Sequence, residues 1–526
     1  MSTNYLSVNN LSYLISGFQT LFEDVSFDVS DFQKVAIVGD NGVGKTTLLK
    51  ILSGELSSAK GNIIVNGRIS YLPQSLYDFK GKISEILDVE KIISALHRIC
   101  ENCATEDDFE IIEDQWDIEE KVASEFAKWN LSHLQLNDDF SNLSGGEKEK
   151  ILLIRNFISS AEILLFDEPT NNLDVASRQL FIEEMTLAKK LVLIVSHDRV
   201  LLDKMDVILE LSKNKMQKYS GNFEFYQFEK ERQKNLVEEK IVTLKETQKN
   251  LQKTLIENQI KADKSAKQGK SKIASKKYNP LQAGAMKGLS VVSNAKKKNK
   301  AENKLGEARE EMKSLELSIL EENIKIPLPE KPFIKAKLLE ITNLYFSYGE
   351  REIFRRFNLF VGGKDRLVIK GKNGAGKTTL LKLILGKLLP AKGDVRLYAN
   401  VVYINQDLSL LNREKTLLEN MEENNPEISL NEAYSILANF KFRNELAHKK
   451  VSVLSGGELL KGCLASVLGT NKQPELIILD EPTNNLDIKS VQILESALQQ
   501  YQGALLVVSH DEKFLENIHI SRELEL

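Results

Sequence analysis

The sequence contains no run of about 18 consecutive apolar residues, the length that a helix needs to cross a membrane. Residues 1–10 have no basic segment followed by an apolar core, so no secretory signal is evident. Cysteine is scarce, with three residues in 526, which is typical of a reducing compartment and not of a disulfide framework. These absences argue against membrane and secreted classes, and they predict a cytoplasmic protein with no membrane or permease partner.

Two of the cysteines, Cys100 and Cys103, form a single CxxC pair. The pair lies in a segment expected to be helical, with no second pair and no histidine ligands nearby. Ordinary cysteines are therefore the favoured interpretation, and a metal or redox site stays open as the alternative.

Positive charge is concentrated in one segment of the chain. Between Lys261 and Lys300 there are twelve lysines and one acidic residue, Asp263, a local net charge of +11 in a chain whose total is −4. Such a segment is suited to contact a polyanion. The simpler alternative, a solvated lysine-rich linker, is the usual explanation of an isolated charge run.

The flanks of this segment favour a structured arm. Apolar residues on both sides recur at steps of three, four or seven, the spacing of a coiled-coil seam. Pro280 and Gly288 bound the interruption between the two patterns. The sequence therefore predicts an antiparallel coiled-coil hairpin with a basic tip. The seam residues are Val237, Ile241, Leu244, Leu251 and Leu255, then Ala301, Leu305, Ala308, Met312, Leu315 and Ile319.

Two phosphate-binding loops of the form GxxxxGK[ST] follow short apolar strands, one in each half of the chain. Their glycines let backbone N–H groups surround a phosphate, the lysine reaches the β and γ phosphates, and the next threonine coordinates magnesium. The loop residues are Gly39, Asn41, Gly42, Gly44, Lys45, Thr46 and Thr47, and then Gly371, Asn373, Gly374, Gly376, Lys377, Thr378 and Thr379.

Further motifs repeat in the same order, so the two halves are copies of one domain. Each copy has a glutamine 29 residues after the lysine, an Leu-Ser-Gly-Gly-Glu segment, an acidic strand end and a histidine 30 residues beyond the aspartate. The first copy carries about 21 more residues between the glutamine and the Ser-Gly-Gly segment, which predicts an insertion near residues 84–130.

Each half resembles an ATP-binding cassette domain. Two cassettes, no membrane segment and a charged helical linker resemble the ABC-F family of translation factors and ribosome-protection proteins. The octapeptide Asp-Glu-Pro-Thr-Asn-Asn-Leu-Asp, from Asp167 to Asp174 and from Asp480 to Asp487, is characteristic of that family.

The resemblance implies roles for the repeated residues in hydrolysing ATP with Mg²⁺. Asp167 and Asp480 hold the magnesium shell, and Glu168 and Glu481 orient or deprotonate the attacking water. Gln74 and Gln406 contact magnesium and water. His197 and His510 contact the γ phosphate; matched positions in both copies favour that role over a structural histidine.

In cassette proteins the Ser-Gly-Gly segment caps the nucleotide of the opposite cassette. The resemblance thus implies two composite sites in a monomer, in which the cassettes pair intramolecularly. Ser455, Gly456 and Gly457 serve the Lys45 site, and Ser144, Gly145 and Gly146 serve the Lys377 site.

Some positions depart from the family pattern. Tyr348 is the expected adenine platform of the second copy, but Ser16 stands at the matching position in the first, where Tyr13 or Phe18 are the alternatives. Glu147-Lys148 becomes Glu458-Leu459, so the two sites are expected to differ in rate.

The predicted fold is α/β, with two P-loop cassettes joined by a coiled-coil hairpin. We expect a first cassette at 1–222, a basic linker at 223–332 and a second cassette at 333–526. The expected function is an ATPase that binds the ribosome in its closed ATP state, with rRNA and P-site tRNA as contacts near the peptidyl-transferase region. A fused importer ATPase and a nucleic-acid-remodelling cassette ATPase are the alternatives, and the choice among resistance, rescue and initiation control stays open.

Overall fold

The structure is a computed structural model. It describes residues 4–15, 19–58, 60–75, 79–101, 103, 105–171, 173–213, 215–274, 303, 305–307, 309–312, 327, 336–371, 374–405, 408–470, 472–484 and 486–526. The chain divides into two compact units, one formed by Met1–Tyr226 with Ile324–Leu526 and the other by Gln227–Asn323. Both cassettes therefore belong to one unit. The three-part division expected from the sequence stays a prediction.

The first cassette contains nine strands and eight α-helices among the described residues. Its strands are β1 (Asn4–Ile15), β2 (Gln19–Ser30), β3 (Lys34–Val38), β4 (Lys60–Val65), β5 (Ile69–Leu72), β6 (Ile163–Asp167), β7 (Leu191–Val195), β8 (Val207–Ser212) and β9 (Lys215–Tyr219). Its helices are α1 (Lys45–Leu52), α2 (Ile83–Ile86), α3 (Glu90–Cys100), α4 (Glu106–Ile112), α5 (Ile118–Lys128), α6 (Gly145–Ile158), α7 (Val175–Leu187) and α8 (Arg199–Leu202).

The first cassette is built on a six-stranded sheet in the order β5-β6-β7-β3-β8-β9, parallel except for the β8–β9 pair. Strands β3 and β7, with sequences Lys-Val-Ala-Ile-Val and Leu-Val-Leu-Ile-Val, are buried along their whole length. Continuous apolar strands of this kind suit the centre of a parallel sheet covered on both faces. A second, antiparallel sheet has the order β2-β1-β4.

The second cassette repeats this architecture with strands in the order β14-β15-β16-β12-β17, all parallel, beside an antiparallel sheet β11-β10-β13. Its strands are β10 (Leu339–Tyr348), β11 (Arg351–Val361), β12 (Arg366–Lys370), β13 (Lys392–Leu397), β14 (Val401–Ile404), β15 (Leu476–Asp480), β16 (Ala504–Val508) and β17 (Arg522–Glu525). After the long helix α9 (Phe223–Ala274), its helices are α10 (Lys377–Ile384), α11 (Leu417–Asn424), α12 (Leu430–Asn439), α13 (Gly456–Leu468), α14 (Ile488–Gln500) and α15 (Glu512–Asn517).

The range 84–130, where the sequence predicts an insertion, contains helices α3, α4 and α5. The Arg98 guanidinium bonds the buried carboxylate of Asp108 and thereby links α3 to α4. Cys100 and Cys103 are free and exposed. Within the described residues no group of three or more His, Cys, Asp or Glu side chains could hold a metal ion.

Helix α9 has 52 residues, about 78 Å at 1.5 Å per residue. Its first turn belongs to the first cassette, where Phe223 and Tyr226 are buried and the Tyr226 hydroxyl donates to Glu210 at 3.2 Å. An 18-residue window apolar enough to cross a membrane is absent from every helix that the structure describes.

Within the second unit, the seam residues expected on α9 are buried or partly buried, whereas Val242 and Ile256 on other faces are exposed. Lys240 forms an ion pair of 2.6 Å with Glu311, and Leu305 is buried. The segment 275–300, with the expected turn and most of the basic tip, lies outside the described residues, as do Ala301, Ala308, Leu315 and Ile319.

Candidate functional site

The first phosphate-binding loop joins the buried strand β3 to helix α1. Gly44 has φ = 107°, and a Cβ there would lie 2.7 Å from Leu21 Cδ2, so both backbone and packing require glycine. The Lys45 ammonium is buried under the loop and donates to the carbonyl of Gly39 at 2.7 Å. Thr46 and Thr47 follow in the first turn of α1, where backbone N–H groups are without intrahelical partners.

Strand β6 ends at Asp167 and is separated in the sheet from the loop-bearing strand β3 by β7. Both carboxylate oxygens of Asp167 are buried without a hydrogen-bond partner among the described residues. Burial raises the pKa of this carboxyl, and the neighbouring Thr46 hydroxyl and the Lys45 charge oppose that shift. A carboxylate left without partners in this position has the donor atoms that Mg²⁺ prefers.

Glu168 follows with φ = 52°, a left-handed backbone that a glutamate rarely adopts. Its N–H donates to the Val195 carbonyl of β7 at 2.8 Å, which fixes this turn. Glu481 repeats the feature with φ = 46° and a bond of 2.8 Å to Val508. Strained residues of this kind persist only where the surrounding structure holds them, and they concentrate at functional sites.

Burial raises the pKa of both glutamates, against the opposing effect of the adjacent lysine, and that of Glu481 reaches about 7. A carboxyl with its pKa near the working pH is suited to accept a proton. Burial lowers the pKa of His197 and of His510, which favours neutral imidazoles at pH 7.

The two histidines face the glutamates but in different surroundings. His197 Nε2 lies 3.5 Å from Glu168 Oε1, with side chains 12% and 11% exposed. His510 Nε2 lies 3.6 Å from Glu481 Oε1, with side chains 25% and 20% exposed. His510 also lies 3.2 Å from the Lys377 ammonium, which donates to the Gly371 carbonyl at 2.6 Å. The first site is therefore the more enclosed.

Of the two predicted glutamines, only Gln74 lies among the described residues. Gln74 lies just beyond β5 at the same edge of the sheet, and its side chain is exposed. Gln406 and Asn373 lie outside the described residues.

The serines of the Ser-Gly-Gly segments begin helices. Ser144 caps α6 and Ser455 caps α13, each in a capping box with the glutamate three residues later. These boxes orient the helix N-termini, which carry partial positive charge. The pairing of each serine with the opposite nucleotide stays a prediction.

The two cassettes contact each other directly around the first loop. The backbone N–H of Asn41 donates to Asp487 Oδ2 of the second cassette at 2.9 Å. Asp487 begins α14, and its other carboxylate oxygen accepts from the N–H of Ser490. A cavity of about 210 Å³ lies between the cassettes, lined by residues that include Glu168, His197, Glu481 and His510. The structure thus brings the main candidates of both copies to one interface.

Tyr348 ends β10 at a hairpin, half exposed, with its ring edge-on to Phe346 at 5.0 Å. In the first cassette Tyr13 packs against Phe22 at 6.3 Å, whereas Ser16 and Phe18 lie outside the described residues.

Sequence reasoning missed two features of the site. The Tyr403 hydroxyl donates to Asp480 at 2.9 Å, whereas the matching Tyr71 hydroxyl is buried without a hydrogen-bond partner in the described chain. The signal was present, because each tyrosine lies three residues before its glutamine. Asp487, the last residue of the second octapeptide, was interpreted as part of a motif and not as a contact with the other cassette.

Two P-loop cassettes with their sites at a shared interface define a nucleotide-binding ATPase. The family model described as ABC transporter matches residues 22–171 and 354–484. Ribosome protection protein VmlR of Bacillus subtilis is 31% identical over 97% of this chain and 85% of that protein. ABC transporter F family member 2 of Arabidopsis thaliana is 28% identical over 99% of this chain and 76% of its own length.

A solved structure of RNase-L Inhibitor has a TM-score of 0.56 and 18% identity, covering 98% of this chain and 87% of that one. This likeness supports the fold. The chain belongs to the ABC-F family of ATP-binding cassette proteins, as the sequence predicted, and it is an ATPase. The predicted fold class is likewise confirmed.

Proposed function

We propose that this ATPase binds the ribosome when ATP closes its two cassettes, and that hydrolysis releases it. The observation that carries the ATP-dependent part is the contact between Asn41 N–H and Asp487, because it joins the phosphate loop of one cassette to the other cassette. Binding that favours the joined arrangement shifts the population towards it, and loss of the γ phosphate reverses the shift.

Catalysis is assigned to the residues at the carboxyl edge of each parallel sheet. Lys45 and Lys377, with the glycine loops and Thr47 and Thr379 at the helix starts, hold the phosphates. Glu168 and Glu481 accept the proton of the attacking water, and their raised pKa values suit that task. His197 and His510, neutral at pH 7, offer a ring N–H towards the γ phosphate.

The residues present fit a magnesium ion. Asp167 has two buried carboxylate oxygens without a hydrogen-bond partner among the described residues, and Thr46 is its close neighbour. Asp480 and Thr378 would hold the ion in the second site, with Gln74 and Gln406 as further ligands. When bound, Mg²⁺ neutralises charge on the phosphate oxygens.

The ribosome is proposed as the partner on two grounds. The relative that is 31% identical is named for ribosome protection. The segment from Lys261 to Lys300 carries a net charge of +11, which suits rRNA or P-site tRNA phosphates. We propose that 223–332 forms a coiled-coil arm carrying this charge, in a monomeric cytoplasmic protein whose cassettes pair within the chain.

Sedimentation with purified ribosomes tests the proposal. Glu168→Gln with Glu481→Gln should retain ATP and pellet with ribosomes in an ATP-dependent manner. Lys45→Ala with Lys377→Ala is the matched control, and it should stay in the supernatant because the phosphates are not held. If the glutamate variant binds ATP but stays in the supernatant, the proposed ribosome function is wrong. Recovery with a membrane permease would instead favour the importer alternative.

The arm is tested separately through its salt dependence. Replacing Lys276, Lys277 and Lys296 to Lys298 by Gln should weaken ribosome binding and flatten the slope of log affinity against log salt by up to about four units. ATPase activity of the free protein should change little. An unchanged affinity and slope would support the solvated-linker alternative.

A further inference from the structure

Helix α14 of the second cassette makes three polar contacts with the first cassette. Its cap Asp487 accepts from the N–H of Asn41, Lys489 pairs with Asp40 at 2.9 Å, and Glu495 Oε1 pairs with Arg199 Nη1 at 2.7 Å. The first two contacts lie at the phosphate loop. The third lies at the loop that carries His197.

These ion pairs differ in burial, which decides their strength. Lys489 and Asp40 are both about half exposed, so solvent screens that pair. Arg199 and Glu495 are 4% and 8% exposed. Arg199 Nη2 is buried with no hydrogen-bond partner among the described residues, so Glu495 is the carboxylate that compensates this guanidinium. Removing one partner of a buried pair leaves an uncompensated charge, so the pair is strongly coupled.

The second site cannot form the same pair. At the repeat offset of 313 residues, Glu512 stands where the first cassette has Arg199, and Ile182 stands where the second has Glu495. Ile182 is buried in the first cassette and carries no charge. The buried ion pair can therefore form next to the first site, and the residues at the matching positions cannot form one next to the second.

Arg199 is the first residue of α8, two residues after His197. The turn between them is tightly fixed: Asp198 N–H donates to Ser196 Oγ at 3.1 Å, and the Asp198 carboxylate accepts from Val200 N–H at 3.0 Å. Arg178 of α7 also bonds that carboxylate. A change in the position of the Arg199 side chain should therefore also shift the backbone at His197.

We propose that Arg199 and Glu495 are a positioning pair for the first ATP site. Glu495 reaches Arg199 only when the cassettes are joined, and the pair then fixes the His197 loop towards Glu168. Among the described residues, the loop that carries His510 has no matching buried ion pair, although Asp174 and Arg178 of the first cassette lie close enough to influence His510. The proposal rests on the closure of the two cassettes in the proposed function, but not on ribosome binding.

Single-site backgrounds separate the two sites in the full-length protein. Lys377→Ala leaves the first site active, and Lys45→Ala leaves the second. Glu495→Ile, which supplies the residue of the matching position, should lower kcat of the first site by at least about tenfold while KM for ATP stays within about twofold, because the phosphate loop is unchanged. In the Lys45→Ala background the same change should leave kcat within about twofold, which also verifies folding.

A double-variant cycle tests whether the two residues act as one unit. Arg199→Leu with Glu495→Ile should cost no more than either single change, because the double variant leaves no buried charge unpaired. Glu495→Gln, which keeps the shape and a hydrogen bond, should lose less than Glu495→Ile. Glu512→Leu at the exposed matching position is the control and should leave both sites unaltered.

Equal loss of kcat at both sites would overturn the proposal, since the pair would then serve only cassette association. Additive losses in the cycle, or a change in KM without a change in kcat, would overturn it as well. All measurements use the free protein without ribosomes. A failure of ribosome sedimentation would therefore leave the positioning pair standing, and the reverse also holds.

Discussion

His197 in the first cassette and His510 in the second occupy matched positions, yet the first is about half as exposed as the second. Glu168 and Glu481 differ in the same sense. The left-handed glutamates and the capping boxes of the Ser-Gly-Gly segments are the same in both copies, so the difference does not come from these motifs. It comes from the residues around them, which differ between the two copies.

This contrast shows that a duplicated motif does not guarantee a duplicated environment. The first site has Lys489 and Glu495 from the opposite cassette, where α7 has Ala176 and Ile182 at the matching positions. We therefore expect the two sites to respond differently to the same change.

Removing both proton-accepting carboxylates should have the largest effect. Glu168→Gln with Glu481→Gln keeps the side-chain shape and should slow ATP turnover at least about 100-fold while ATP still binds. Steady-state phosphate release, with ATP binding measured by filter retention, checks this. Near-normal turnover in the double variant would refute the assignment of both glutamates.

The second largest effect should come from blocking a Ser-Gly-Gly segment, which is predicted to pair with the nucleotide of the opposite cassette. Ser455→Arg should impair the Lys45 site by at least about tenfold and the Lys377 site much less, because it blocks one helix N-terminus. Nucleotide affinity is measured with one loop lysine disabled at a time. Ser144→Arg is the reciprocal control, and equal losses at both sites would contradict cross-cassette pairing.

The pH dependence should separate the sites through Glu481 and Glu168. Burial raises the pKa of Glu481 to about 7, so its base form is lost as pH falls through that value. In the Lys45→Ala background, kcat/KM should fall about tenfold from pH 8 to pH 6. The first site, with its more deeply buried Glu168, should lose activity at a higher pH.

An acid limb at the same pH in both single-site backgrounds would contradict the difference in burial. If the loss of activity at low pH persists in Glu481→Gln, a group other than Glu481 is responsible for it.

The adenine platform should give the smallest effect. Tyr348→Ala should raise KM for ATP at the second site about fivefold, since base–aromatic stacking is modest in energy. Tyr13→Ala is the matched test in the first cassette, where Tyr13 is one of the two alternative platforms and is packed against Phe22. If KM at the first site is unchanged, Phe18 becomes the platform to examine. An unchanged KM in Tyr348→Ala would remove that residue from the site.

Much of the site could be predicted because its parts are local. A glycine loop after a buried strand, an acid at a strand end and a serine before a glutamate each depend on a few neighbouring residues. Ser144-Gly-Gly-Glu147 even contains the capping-box pattern that the structure has at the start of α6. The repeat then supplied a second, independent instance of every element.

The sequence by itself determined the two cassettes, the order of their motifs, the helical seam of α9 and the concentration of lysine between Lys261 and Lys300. Only the tertiary structure decided which residues meet across the cassettes. Asn41 and Asp487 are 446 positions apart, and Arg199 and Glu495 are 296 apart. No local period or motif spacing connects such residues, because their contact depends on how two complete folded surfaces fit together. Burial also depends on how these folded surfaces fit together. It causes the different pKa values of Glu168 and Glu481 and the unequal enclosure of the two sites.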